Sequence, residues 1–290
     1  MTPTHEPTTT NDEPRSRVTA LVISYNNAEA LRRCLTALEQ SKNREALEII
    51  VVDKGSRDES STIDSEFPNI TMLRLPRNFG NAKALNIGMR TAAAELVFFL
   101  LPEVEVQPGT VSQLADRLES DSSAVAVSLV TGQEGQFYRL PSPSDGASLK
   151  PIHVAAGPVP VPVEGATFDA LMVRKYFVRG INFLDEKYGE FWADVDLSFH
   201  IRRSGKKILA MPDLGCRFTP RTDTFPDNAL KVLEADKITG GGRYFGKHYG
   251  FFSGIMFRLK ATLKALFSFQ LGLFTASLSG RKVDGTQTEL

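Results

Sequence analysis

Four acidic residues stand at three places far apart in the chain; those at the first two places end or follow an apolar run, and each place offers a distinct chemistry. Asp53 closes Leu47 to Val52 (LEIIVV) and leads into Lys54-Gly55-Ser56-Arg57-Asp58. A carboxylate there can accept hydrogen bonds from a nucleobase N–H or a ribose hydroxyl. Gly55 permits the tight turn that brings backbone close to a ligand. An ordinary β-to-α turn, with Ser56 or Asp58 capping the next helix, would read the same way. Glu103 and Glu105 follow LVFFLLP. At strand spacing, residues two apart share a side, and a pair of carboxylates suits Mg²⁺ or Mn²⁺. A solvated acidic loop would also carry them. Asp194 stands beside the only tryptophan, Trp192, just before a helix-like segment. It can cap that helix, where negative charge is favoured, or act as a general base toward an acceptor hydroxyl. Tyr188, Phe191 and Trp192 suit either the apolar face of a sugar or a core.

A fourth segment, Asn78-Phe79-Gly80-Asn81-Ala82-Lys83-Ala84-Leu85-Asn86, opens a helix after a strand. Its amides and its lysine, Asn78, Gly80 and Lys83 among them, could hold a diphosphate or a sugar. A turn into an Asn-capped helix with a solvated Lys83 is the alternative.

These residues need a scaffold. Val18 to Ser24, Leu47 to Val52, Ile70 to Leu75 and Leu96 to Leu101 are compact apolar runs. Helix-like segments lie between them at Ala28 to Gln40, Ser60 to Glu66 and Ala82 to Ala94. This alternation predicts a parallel sheet covered on both faces. Such sheets bind ligands beyond the carboxyl ends of their strands, which directs attention to Ser24-Tyr25-Asn26, Asp53 to Ser56 and Pro102 to Glu105. Further on, Gln107 to Glu119 reads as a helix, Ala124 to Val130 as a strand and Thr131 to Val163 as a loop or irregular insertion. Gly165 to Val173 reads as a strand, Val195 to Ser204 as a helix and Lys207 to Met211 as a strand. No G-x-G-x-x-G follows the first strand and no G-x-x-x-x-G-K-[ST] is present, so neither common phosphate-loop motif applies.

Composition narrows the field. The chain has 290 residues, 34 Lys+Arg, 34 Asp+Glu and 42% hydrophobic residues. The balanced charge argues against a nucleic-acid binder. Cys34 and Cys216 cannot staple a fold of this size and lack zinc-site spacing; a reducing compartment is the simplest reading. Residues 1–17 read as a disordered lead-in with no apolar signal core. Phe251 to Leu278 is apolar, with Arg258, Lys260 and Lys264 interspersed. That pattern fits equally a helix lying on an anionic bilayer and a helix packed on the domain.

In their order, these segments resemble family 2 glycosyltransferases with the GT-A fold, particularly the rhamnosyltransferase-like branch. The family's D-N-G-S-x-D matches DKGSRD at 53–58, and its N-x-G-x-a-x-a-x-N resembles NFGNAKALN. Its F-L-N-P-D-T-E is similar to FLLPEVE at 99–105, and its G-A-x-x-x-x-R strand to GATFDALMVR at 165–174 with looser spacing. Its D-E-x-F-F-x-Y-G-E-D-V-D-L aligns on Asp185 to Leu197, followed by Arg202, Arg203, Gly205, Ile208 and Pro212-Asp213. The resemblance covers Val18 to Asp213.

It implies an α/β architecture, a mostly parallel central sheet flanked by helices over residues 18–225; a C-terminal helical extension follows over 226–290, and its apolar and basic pattern would suit peripheral contact with the membrane. It further implies a cytoplasmic enzyme, at the inner face of the membrane, that moves a sugar with inversion. The donor would be a nucleotide-diphospho-sugar and the acceptor a hydroxyl of a cell-surface glycan or lipid-linked molecule. By position, Ser24, Tyr25, Asn26, Asp53, Gly55, Asn78, Gly80 and Lys83 would bind the donor nucleotide. Glu103 and Glu105 would hold Mn²⁺ or Mg²⁺, Asp194 would be the catalytic base, and Trp192 and Asp196 would face the sugar and acceptor. Four departures stand out. Glu103 replaces the family's Asp, Lys54 its Asn and Ala193 its Glu, and Cys216 to Thr219 occupy the region where a His is common. They fit a divergent active subgroup, or a catalytically impaired sugar-nucleotide-binding or scaffold protein. A nucleotidyltransferase on a similar sheet fits less well, for want of a basic residue at the end of the first strand.

Overall fold

A computed structural model of the chain describes residues 16–145, 148–222, 225–267 and 271–286. The expected disordered lead-in therefore lies outside the described residues, apart from Ser16 and Arg17. The strands are β1 Val18–Ser24, β2 Leu47–Asp53, β3 Thr71–Arg74, β4 Leu96–Leu100, β5 Val104–Val106, β6 Ala124–Leu129, β7 Phe137–Arg139, β8 Lys150–Pro151, β9 Val161–Val163, β10 Gly165–Ala166, β11 Ala170–Arg174, β12 Lys207–Met211 and β13 Cys216–Phe218. The α-helices are α1 Ala28–Glu39, α2 Asn81–Thr91, α3 Thr110–Ser120, α4 Lys175–Gly180, α5 Ala193–Arg203, α6 Asp227–Tyr249, α7 Phe251–Phe267 and α8 Leu271–Leu278.

Eight strands form the central sheet in the order β3-β2-β1-β4-β11-β6-β12-β9. β1 pairs in parallel with β2 and β4, and β2 with β3. β11 runs antiparallel between β4 and β6, and β9 antiparallel on β12. The sheet is thus mixed and mostly parallel. Its strands are apolar on both faces because both faces are covered. Leu21 and Ile23 of β1 enter one core with Ala82, Leu85 and Met89 of α2. Val18, Ala20 and Val22 enter the other with Leu31, Cys34, Leu35 and Leu38 of α1. The strand alternates at period two while the helix repeats at three and four, so each element presents one stripe to its own core. Truncating a fully buried leucine here, such as Leu21 or Leu35, would cost about 2–5 kcal/mol.

The expected irregular stretch 131–163 contains β7, β8 and β9. The expected strand from Gly165 to Val173 is two elements, β10 and β11, separated by Thr167-Phe168-Asp169. Ser60 to Glu66 is a 3₁₀ turn, Glu59–Ser65, rather than an α-helix. β5 and β13 form a separate two-stranded ribbon. In the C-terminal part, α6 packs along the domain through Tyr244 and Phe245, both fully buried. Among the described residues no helix is long and apolar enough to cross a membrane.

Candidate active site

The carboxyl ends of β1, β2 and β4 open onto a cleft of about 930 Å³, a volume typical of small-molecule sites. Tyr25, Asn78, Glu103 and Asp194 line it, as do Asn27, Lys54, Asn81, Asp169, Glu190 and Arg221.

At the end of β2 the Asp53 carboxylate turns back on its own loop. Oδ2 accepts from the backbone N–H of Gly55 at 3.1 Å and of Ser56 at 3.0 Å. The turn needs φ +83° at Gly55, where an added Cβ would stand 2.9 Å from the Arg77 Cα; only glycine takes that backbone without strain. Asp53 is buried beside Lys54 and pairs in register with Ser24, and neither Asp53 nor Ser24 is itself on the cleft lining. Asn26 also sits behind the wall, with φ +46°. Its side-chain oxygen accepts from the Arg57 N–H at 2.7 Å. Arg221 donates to the carbonyls of Tyr25 and Asn26 at 2.8 Å each, and Phe225 stacks on Tyr25 with 6.5 Å between centroids.

Asn78 accepts from the Gly80 N–H at 2.9 Å. Gly80 has φ +84°, and a side chain there would collide with the Gly189 backbone. Asn81 N–H donates to the Gly189 carbonyl at 3.1 Å, so the two loops close one end of the cleft together. Lys83 turns away from it, its ammonium 4.2 Å from the centre of the Phe79 ring. Lys54 reaches in, donating to Asn81 Oδ1 at 2.8 Å and to Glu190 Oε1 at 2.5 Å.

The two acidic residues after β4 separate. Glu103 lines the cleft and accepts from the Asn27 amide at 2.6 Å. Burial pushes its carboxyl up, partly offset by its own backbone N–H and by Asn27. Glu105 instead meets Arg33 of α1 at 3.2 Å, outside the lining. The expectation that both face one side fails because Glu103 lies in a turn and only Glu105 lies on β5. The strand rule of alternate sides therefore does not connect them.

A different carboxylate stands near Glu103. Asp169, just before β11, is 8% exposed, and its Oδ2 has no hydrogen-bond partner. Burial is the main cause that raises its carboxyl to about 6; the nearby Thr167 hydroxyl lowers it somewhat, and the charge of Glu103 raises it. Asp194, in the first turn of α5, is also raised to about 6, chiefly by burial. The N–H of Val195 opposes the shift and the charge of Asp169 adds to it. Tyr138 donates to Asp194 Oδ2 at 3.4 Å. Among the described residues, the buried side-chain atoms without partners include Ser24 Oγ, Asp53 Oδ1, Thr167 Oγ1, Asp169 Oδ2 and Glu190 Oε2. Buried polar groups are normally satisfied, and these five belong to the cleft or its supporting loops.

Trp192 and Asp196 lie elsewhere. Trp192 is 9% exposed, packs on Tyr244, Phe245 and Phe257, and donates to the Lys237 carbonyl at 2.8 Å. It joins α6 and α7 to the domain. Asp196 is buried against the half-buried His200 and His248, and their ligand atoms lie within 4.8 Å of one another. Lys247 already supplies a cation, 2.7 Å from Asp196 Oδ2, and His248 Nε2 sits 2.7 Å from Oδ1. Burial raises the Asp196 carboxyl, but the contacts with His248 and Lys247 outweigh it and hold it below the usual range. With its charge already balanced, the cluster fastens α6 to α5.

Asp169 and Glu190 lie inside motif segments without a local signal of their own, and Lys54 reads in the sequence only as a departure from the family pattern. Arg221 and Phe225 follow the last motif, with nothing local to single them out.

Residues 19–175, more than half of the chain, match the family described as Glycosyl transferase family 2. The chain belongs to glycosyltransferase family 2. Among its relatives, an undecaprenyl-phosphate 4-deoxy-4-formamido-L-arabinose transferase of Pseudomonas fluorescens is 29% identical over 44% of this chain and 40% of its own length. A dTDP-rhamnosyl transferase of Shigella flexneri is 20% identical over 69% of this chain and 68% of its own length. The chain spans less than half the length of several such relatives. The fold is that of GT-A enzymes: a solved structure of GalNAc-T7 with UDP, GalNAc and Mn²⁺ superposes with TM-score 0.61 at 14% identity, over 86% of this chain and 55% of the other.

Proposed function

We propose that this family 2 chain is an inverting glycosyltransferase. It takes a sugar from a nucleotide-diphospho-sugar to a hydroxyl of a cell-surface glycan or lipid-linked acceptor, working at the cytoplasmic face of the membrane. The observation that carries this reading is the meeting of Glu103, Asp169 and Asp194 in one cleft large enough for such a donor. Ser24, Tyr25, Asn26, Asp53, Gly55, Asn78 and Gly80 shape the nucleotide end, where Asp53 Oδ1 has no partner. Lys83 is too far turned to join them.

The residues fit a divalent cation. Glu103, in the turn after β4, and Asp169, just before β11 and with its Oδ2 unpartnered, would supply hard oxygen ligands, and Glu105, held by Arg33, is not needed. Bound there, Mn²⁺ or Mg²⁺ would neutralise the charge of the departing diphosphate. Asp194 accepts the proton of the acceptor hydroxyl as its oxygen bonds to the anomeric carbon. The bond from that carbon to the diphosphate oxygen breaks with inversion, and the nucleoside diphosphate leaves with the electron pair. A carboxyl raised to about 6 is ionised at neutral pH yet more basic than a free aspartate, which suits a general base.

Release of nucleoside diphosphate from a panel of sugar nucleotides, with Mn²⁺ and an acceptor, tests the reading. Asp194→Asn should keep donor binding and lose turnover; normal turnover would remove the base assignment. A second reading, a sugar-nucleotide binder without catalysis, is favoured by the diversion of Glu105 to Arg33. It predicts donor binding indifferent to metal and no release from any donor.

A further inference from the structure

The apolar surface of the chain is concentrated on one helix. On α7, Phe251, Phe252 and Phe267 are 73%, 83% and 77% exposed, and Ile255, Met256 and Leu259 are also exposed. Monomeric proteins rarely leave so continuous an apolar face open to water. The opposite face of α7 is used for packing. Gly254 lies against Gly242 and Gly246 of α6, and Phe257 packs on Trp192 and Phe245. The outward residues are therefore surplus to the fold.

The charge of the region is just as uneven. The whole chain is neutral, yet from Lys237 to Lys282 it carries eight Lys and Arg and no Asp or Glu. Several of these are engaged: Arg243 and Lys247 pair with Asp185, and Arg258 donates to the Ser277 carbonyl. Lys260 and Lys264 are exposed, one helical turn apart, with no acidic residue on their helix. They border a groove of about 550 Å³ with Phe245, Phe252, Met256 and Phe257. Apolar side chains beside unneutralised lysines match the boundary between acyl chains and anionic headgroups. A second copy of the chain is a poorer occupant, because a two-fold contact would place the same basic patch on both sides with no acidic residue on α7 to meet it.

We propose that the exposed face of α7 docks on the anionic surface of a lipid bilayer, lying in the interface rather than crossing it. Phe251, Phe252, Ile255, Met256 and Leu259 enter the acyl boundary, and Lys260 and Lys264 stay with the phosphates. Docking fixes the distance to the chemistry. Leu233 of α6 lines the cleft and Phe245 of the same helix lines the groove, about 18 Å apart along the helix at about 1.5 Å per residue. An acceptor anchored in the same bilayer then needs only that reach. This consequence rests on the transferase reading; the docking does not.

Co-sedimentation of the full chain with vesicles tests it. Vesicles of phosphatidylglycerol and phosphatidylcholine should pellet the protein at low salt and release it at high salt, and pure phosphatidylcholine should bind on the order of tenfold less. Lys260→Glu with Lys264→Glu, and separately Phe252→Ser with Leu259→Ser, change only exposed side chains and should keep the wild-type melting curve. Each pair should lower partitioning by on the order of tenfold. Equal binding to both vesicle types, no binding, or unchanged binding by both variants would overturn the proposal. So would a dimer in solution that Phe252→Ser with Leu259→Ser splits while no vesicle is bound; a second copy would then cover the face. Nucleoside diphosphate release, measured without vesicles, judges the transferase reading separately.

Discussion

The ammonium of Lys54 lies 2.5 Å from Oε1 of Glu190, joining residues 136 positions apart in the chain. The Lys54 side chain is 5% exposed and that of Glu190 19%. The pair bridges the residue after β2 to the loop before α5, and both residues line the cleft. It also accounts for a departure from the family pattern: a lysine in place of the usual asparagine needs an acidic partner, and Glu190 supplies one.

Removing one member of a buried pair strands the other charge, at a cost of about 3–5 kcal/mol. Glu190→Gln, which strands the more buried Lys54, should therefore lower stability by roughly that amount, and Lys54→Met by somewhat less because the stranded Glu190 is more exposed. The double variant should regain much of the loss. Urea unfolding of all four proteins gives the coupling. Additive losses would mean that the bridge does not hold the two loops together.

Asp169→Asn should stabilise the metal-free protein. The wild-type carboxyl is raised to about 6 by burial, whereas in the unfolded chain it titrates near 4. Between those values the unfolded state gives up its proton first, so wild-type stability falls as pH rises through this window. The full loss is present above it, on the order of 2–3 kcal/mol for about two pKa units. Asparagine removes the ionisation. Its advantage, read by urea unfolding with chelator present, should be absent at pH 4, grow toward pH 6 and level off above. Stability gained by deleting a group in a binding cleft is the usual sign that the group serves function. A destabilised variant at neutral pH would contradict the assignment.

The parts of this molecule legible in the sequence are those where local pattern and tertiary role coincide. β1, β2 and β4 are unbroken apolar runs because a sheet covered on both faces has no wet side to record. The turn at Asp53-Lys54-Gly55 declares itself because only glycine takes φ +83° there easily. Legibility ends where a residue's role is set by a distant neighbour. Glu105 reads as half of an acidic pair, but the Pro102-Glu103 turn breaks the strand register and Arg33 claims it. Trp192 reads as a sugar platform, but α6 and α7, which begin well after the last motif, bury it. Asp196 reads as part of the acceptor site until Lys247 and His248 arrive from α6.

Asp236 ties the C-terminal segment to the loop before α5. Its Oδ2 accepts from the N–H groups of Glu190 and Phe191 at 2.9 and 3.1 Å, and its Oδ1 from Val283 at 2.9 Å. Asp236→Ala leaves three N–H groups without their acceptor, at about 1–3 kcal/mol for each that stays buried. Hydrogen exchange should accelerate at Glu190, Phe191 and Val283 together. Faster exchange at Val283 alone would mean that the loop before Asp194 is held by other contacts.

The pH dependence of turnover should report Asp194. A general base works only when ionised, so kcat should fall about tenfold per pH unit below its pKa. The carboxyl stands at about 6, with burial as the first cause and the charge of Asp169 as a secondary one. The acid limb should therefore bend near pH 6, not near pH 4 as for a free aspartate. Asp169→Asn removes a neighbouring negative charge, so the bend in its remaining activity should move toward lower pH. The shift separates two accounts of the same slow variant: loss of metal affinity lowers the plateau without moving the limb, whereas loss of the Asp169 charge moves it. A limb fixed in both proteins would mean that Asp194 does not sense Asp169, and a limb near pH 4 in the wild type would remove Asp194 from the base role.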